Sequence, residues 1–400
     1  MAAKQADTGS EIGRRLRQIR HARRKSLAVV AGLAGISPSY LSRLESGERA
    51  LDRRSLIVAL AAALEVAPSE ITGTALAFPG ELDEDRSLNA VRLALLAASM
   101  NEPRGEVAPV DVLHTRVAAL MNAQRECRYA DVGSELPGLI RDLHSTLDSG
   151  RDVERVRSLL ALLHVQGTMA WLMDIGASMD LGWQAATLAQ HAAEAVDDPV
   201  THAVSAFGTA FGLLGAGAFD MASNVLTRPG VGTNNPAARS ARGMLTLTSS
   251  LVAAASGDRA GQVAALEEAE NLAATVHDDG DPLWFGFNPA NVGVWRMSVA
   301  LEAGDHADAA RIADSVNPDD LPSPTRKAAY YRDFGRALAR LPRRQDNAVL
   351  MLRRAERISP ARIHRHPFMR SVIAELLVKS RRGAIGRELR GMAYRAGLPV

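Results

Sequence analysis

Four stretches of this chain share one grammar: a glycine or charged turn, then an Ala-rich amphipathic helix. They are "GAFDMASNVL" at 217–226, "GDRAGQVAALEEAENLA" at 257–273, "GDHADAARIADSV" at 304–316 and "RRQDNAVLMLRRAERISP" at 343–360. Aligned on Ala222, Val263, Ala310 and Ala348, they recur at intervals of 41, 47 and 38 residues, and 127–143 carries a weaker copy. A helical pair of this size cannot bury its apolar face alone, so successive pairs must stack. The pattern predicts an all-α chain whose larger part, residues 91–400, is a helical-repeat α-solenoid.

Composition agrees. Hydrophobic residues make up 47% of the 400 and aromatics only 4%, and the dominance of Ala and Leu favours helix over strand. Cys127 is the single cysteine, which excludes an intramolecular disulfide framework and fits a reducing compartment. The first fifteen residues lack the apolar run of a signal peptide, and the longest apolar runs, such as 56–64, are too short to cross a bilayer. A cytoplasmic protein with no membrane partner is expected.

The net charge of +2 conceals an uneven distribution. Residues 1–54 balance at +7, residues 336–400 at +12 and the middle at −17. Basic ends point to a polyanionic partner.

The first of these ends divides into short helices. Residues 1–9 are expected to be a disordered tail. Ser10 is placed to cap a helix with Ile12, Leu16 and Ile19 on one face and Arg14, Arg15, Arg17, Arg20, Arg23 and Arg24 on the others. Ser26 caps a second helix that Gly35 ends. Ser37 caps a third, which starts on Pro38, where a missing N–H costs nothing, and stops at Gly47. Val30, Leu33, Ile36, Leu41 and Leu44 are expected to fill the space between these two helices, with Tyr40 packed inward and Glu45 in an intradomain ion pair or cap. A fourth helix buries Leu56, Leu60 and Leu64, and Pro68 opens a fifth segment. Helix, Gly turn, helix is the helix-turn-helix arrangement.

"VAGLAGISPSYLSRLESGER" at 30–49 resembles the signature of the lambda-repressor/Cro-like (XRE) family of DNA-binding domains, through Ala31, Gly35, Ile36, Ser37, Tyr40, Leu41, Ser42, Leu44, Glu45 and Gly47. The resemblance covers about residues 10–72, within a DNA-binding domain expected at 10–73. It implies that the third helix enters the major groove of double-stranded DNA, with Ser39, Ser42 and Arg43 as readers, Pro38 at the groove but silent in hydrogen bonding, and Ser37 among the DNA-binding residues. Arg43 suits a bidentate contact to guanine. Ser26, Arg49, Arg53 and Arg54 are the expected phosphate contacts. Leu27 departs from the family, which often has a polar residue there, so the hydrogen-bonding set is thin and DNA shape is expected to carry part of the discrimination.

Residues 74–90 mix Pro, Gly and acidic residues and read as a linker. The repeats beyond it are similar to tetratricopeptide repeats, and the whole arrangement is similar to XRE regulators with tetratricopeptide-like C-terminal regions, some of which answer signalling peptides. Of 17 aromatics in the chain, Trp284, Phe285, Phe287 and Trp295 fall within twelve residues, interleaved with Asn288 and Asn291. Trp284, Phe287, Asn288, Asn291 and Trp295 are therefore candidates to bind a peptide or small-molecule effector; the alternative is that these aromatics fill the core and the asparagines cap the helix after Pro289. Trp171 and Trp183 are candidates for the same groove.

No phosphate loop, zinc spacing or nucleophile elbow is present. His364 and His366, with Arg362 and Arg365, read as an exposed basic edge, and neither catalysis, metal nor cofactor is expected. These readings describe a transcriptional regulator that binds a two-fold operator as a homodimer. The alternative is a repeat protein that sequesters a signalling partner, with DNA binding accessory.

Overall fold

The computed structural model describes residues 11–72, 82–276, 280–379, 384–398 and 400. All regular structure among them is helical. The expected tail at 1–9 and the cap at Ser10 lie outside the described residues.

The N-terminal bundle consists of α1 (Glu11–Ala22), α2 (Leu27–Leu33), α3 (Pro38–Glu45), α4 (Arg54–Leu64) and α5 (Pro68–Thr72). Ser26 accepts a hydrogen bond from the Val29 N–H and Ser37 from the Tyr40 N–H, as their positions before α2 and α3 require. Gly35, at φ +67°, makes the turn between the two helices, which lie 106° apart, within the range of helix-turn-helix pairs. Ile12, Leu16, Val30, Leu41, Leu44, Leu56, Leu60 and Leu64 form its core. Two expectations fail here. Leu33 is 64% exposed instead of filling the α2–α3 gap. Arg20 is buried instead of solvated, its Nε and Nη2 donating to the two Glu45 carboxylate oxygens at 2.6 and 2.8 Å. Glu45 is thus in the intradomain ion pair expected of it.

Of the expected linker at 74–90, residues 74–81 lie outside the described residues, and 82–90 belong to α6 (Leu82–Ser99). Its Leu88, Val91, Ala94 and Leu95 join the core, so helical periodicity overrides the acidic composition that suggested a loop. Next come α7 (Val110–Arg125), α8 (Tyr129–Asp148) and α9 (Val153–Leu162). A π-helical turn at Leu163–Met169 continues into α10 (Ala170–Asp174), followed by α11 (Met179–Glu194).

From there the chain alternates long and short helices: α12 (Pro199–Ala216) with α13 (Phe219–Thr227), α14 (Pro236–Ser256) with α15 (Arg259–Ala274), α16 (Pro289–Ala303) with α17 (His306–Ser315), and α18 (Pro324–Arg340) with α19 (Gln345–Ile358). Each pair packs as a hairpin, and α12, α14, α16 and α18 pack in sequence, giving the solenoid-like arrangement. The four repeated stretches are the second helices of these hairpins. Gly217, Gly257 and Gly304 end the first helices with φ near +80°, a conformation that L side chains resist. Asp258 and Asp305 then cap the second helices. Ala222, Ala310 and Ala348 are buried at the contacts, but Val263 is 46% exposed, and Ala269 and Ala273 are the buried small residues of α15. The alignment is therefore right for the hairpins but out of register in α15.

The chain closes with α20 (Pro360–His364), α21 (Pro367–Lys379) and α22 (Ala384–Arg395). Of the solenoid, α16, α18 and α21 hold the N-terminal bundle. Phe368 of α21 sits in the bundle's core, while Ala50 of the bundle joins the core of α16–α22. Burying one such Phe contributes about 1.5–3 kcal/mol. At the turn after α12, a Cβ on Gly217 would stand 2.5 Å from Val58 of α4.

Candidate nucleic-acid interface

The first turns of α3 present Ser37, Pro38, Ser39, Ser42 and Arg43 to solvent. Ser37 Oγ lies 3.3 Å from Ser39 Oγ, and Arg43 Nε donates to the Ser39 carbonyl at 3.4 Å. Arg43 has no carboxylate within ion-pair distance among the described residues. The three readers thus share one exposed face, and Ser26, at the start of α2, is exposed as well. Tyr40 packs against the bundle core, as expected.

Arg49, Arg53 and Arg54, the expected phosphate contacts, have partners in the solenoid. Arg53 Nε donates to the Glu302 carbonyl at 3.0 Å, and Arg54 Nη1 lies 3.5 Å from the Glu302 carboxylate and stacks over Phe368. Arg49 Nη1 lies 3.8 Å from Glu375 Oε1. Arg49 and Arg54 meet the buried carboxylates of Glu375 and Glu302, and Arg53 meets the Glu302 main-chain carbonyl, partners that no local pattern around residues 49–54 contains. Burial pushes the Arg54 guanidinium below its ordinary range, which Glu302 opposes.

The same seam carries a dense polar network. Glu302 Oε1 accepts from the Ser55 N–H at 2.9 Å and the Ser55 hydroxyl at 3.2 Å. The Ala50 N–H donates to Glu375 and the Leu51 N–H to Ser371. Arg340 pairs with Asp52 at 2.9 Å and also with Glu375, and Arg370 pairs with Glu11 at 2.8 Å. Arg336, Arg340 and Arg370 of the basic 336–400 stretch are therefore engaged by the N-terminal bundle. The supposed basic edge is likewise internal: Arg362 pairs with Asp174 at 2.8 Å, and His364 lies 2.7 Å from Glu356.

The aromatic stretch at 284–295 divides. Asn288 caps α16 by accepting from the Asn291 N–H, and Asn291, fully buried, donates to the Gly286 carbonyl at 2.8 Å. Phe287 is buried against Gly243, whose absent Cβ makes room for the ring. These three follow the core-and-cap alternative. Trp284 and Trp295 line a cavity of about 500 Å³ between the bundle and the solenoid, Trp295 being buried in the core as well. Trp183 lines it too, whereas Trp171 is buried elsewhere, donating to the Tyr129 carbonyl.

No single helix among the described residues is long and apolar enough to cross a membrane. No curated protein and no solved structure matches the chain. A family model described as a helix-turn-helix domain matches residues 11–72, so that α1–α5 form a helix-turn-helix domain, a fold that supports DNA binding.

Proposed function

We propose that this protein is a sequence-specific transcriptional regulator of the lambda-repressor/Cro-like type. The observation that carries the reading is the geometry of α3: Ser39, Ser42 and Arg43 are exposed, while Ala50, Asp52 and Ser55 of the bundle are held by Glu375, Arg340 and Glu302. One short helix reads few base pairs, so the regulator acts as a homodimer on a two-fold operator. The tetratricopeptide-like region sets the placement of the two reading heads and takes an effector at the cavity that the head shares with the solenoid. A change at the seam would then alter half-site spacing.

The test selects bound sequences from a random duplex pool and measures them against Arg43→Ala and Arg53→Ala. Loss of Arg43 should cost about 1–3 kcal/mol at one base position and relax preference there. Arg53→Ala should leave the salt dependence of binding as in wild type, because its guanidinium is occupied by Glu302. Undiminished selectivity in Arg43→Ala would remove the reader assignment, and the absence of any selected sequence would remove the function.

A further inference from the structure

The cavity between bundle and solenoid has two chemically different walls. One is apolar and adaptable: Phe207, Phe211, Trp295 and five methionines line it, and methionine conforms to irregular guests. The π-helical turn at Leu163–Met169 contributes Val165, Gln166 and Met169 to this wall, and π segments recur at functional sites. The other wall is cationic, with eight arginines lining the cavity against three carboxylates.

Most of these arginines are already committed. Arg362 pairs with Asp174, Arg332 and Arg336 share Asp333, Arg125 pairs with Asp281, and Arg370 pairs with Glu11. Arg326 is different. Its Nε donates to Asn291 Oδ1 at 2.7 Å, and no carboxylate among the described residues lies within ion-pair distance of it. Burial, with Arg362 and Arg332 alongside, pushes its guanidinium down to about 9. An anion placed there would relieve that cost. Two further lining residues hold buried polar atoms without a partner, the Trp295 indole N–H and Gln124 Oε1, which is rare unless something completes them.

We propose that this cavity binds a small anionic amphiphile, its carboxylate or phosphate head on Arg326 and its apolar body against Trp295, Phe207 and Phe211. Its volume suits a drug-sized ligand. Ile12, Ile57 and Arg54 of the helix-turn-helix domain line the same cavity as Glu302, so the ligand touches both the reading head and the residues that hold it. The proposal deepens the regulatory reading by naming the effector class, but its binding test stands apart from DNA.

The test is calorimetric titration of the full chain with dodecanoate, dodecyl phosphate and dodecanol, each below its aggregation concentration. An anionic probe should bind one per chain, and dodecanol about tenfold or more weakly, the value of a hydrogen-bonded charge. Which of the two anions is tighter identifies the head group. Arg326→Gln should lower the anion's affinity by about 10–100-fold and leave dodecanol unchanged, while Arg326→Lys should retain most of it. Equal binding of anion and alcohol by wild type, unaltered anion binding by Arg326→Gln, or no binding of any probe would overturn the proposal. The wild-type comparison needs no variant to fold. A negative result with intact DNA selectivity would leave the regulatory function standing.

Discussion

Replacing Glu302 with Gln tests whether the reading head is locked to the solenoid. The Glu302 side chain is 2% exposed and accepts both Ser55 donors on Oε1, while Oε2 lies 3.5 Å from Arg54 Nη1. Glutamine keeps an acceptor for Ser55 but sets an amide against the Arg54 guanidinium, leaving a poorly solvated cation without its counter-charge. Breaking a buried pair from one side costs about 3–5 kcal/mol. The long contact and the partial exposure of Arg54, 28%, bring the expected cost to about 2–3 kcal/mol. Read by hydrogen exchange, opening of the seam should become about 30–150-fold more frequent, accelerating the Ser55 amide and its neighbours at the start of α4. Helix α3 touches none of these groups, so its own exchange should stay close to wild type. If the Ser55 amide exchanged at the wild-type rate in Glu302→Gln, the carboxylate would not be what holds the head, and the reasoning would fail.

Three further outcomes are expected. Glu45→Ala should destabilise the helix-turn-helix domain by about 3–5 kcal/mol by stranding Arg20, and Arg20→Met with Glu45→Leu should restore much of this in denaturant melts; a double variant no better than the single would count against the ion-pair account. His144 and His306 are held down to about 4, chiefly by burial. Their folded values lie below the unfolded value near 6.5, so their contribution is complete above about pH 6.5 and is lost toward pH 4, at ~1.4 kcal/mol per pH unit for each. Urea midpoints that are flat from pH 7 to 5 would contradict this, since Asp333 and Glu356, held well below the usual carboxylate range, titrate only at lower pH. Gly243→Ala should destabilise the α14–α16 contact, because the new Cβ would stand 2.1 Å from the Phe287 ring; a melting temperature equal to wild type would show that the ring can move aside.

The helices, their caps and the helix-turn-helix itself were legible because each depends on residues three or four apart. Ser26, Ser37, Asp258 and Asp305 cap where they stand, and glycines 217, 257 and 304 end helices wherever positive φ is needed. The outward face of α3 followed from the same periodicity, which leaves Ser39, Ser42 and Arg43 opposite Leu41 and Leu44. Less legible were the places where a side chain meets a group far along the chain. Arg53 and Arg54 look like phosphate ligands in their own neighbourhood, and only the fold brings Glu302 to them across some 250 positions. The cavity is the same kind of fact, with walls drawn from the bundle, α7, α12, α16 and α18. Local sequence thus determines which helices form and which face of α3 turns outward, because those choices are made by short-range backbone chemistry. Which arginines stay exposed, and which meet a carboxylate inside, is decided by tertiary packing, because charge pairing depends on distance in space and not along the chain.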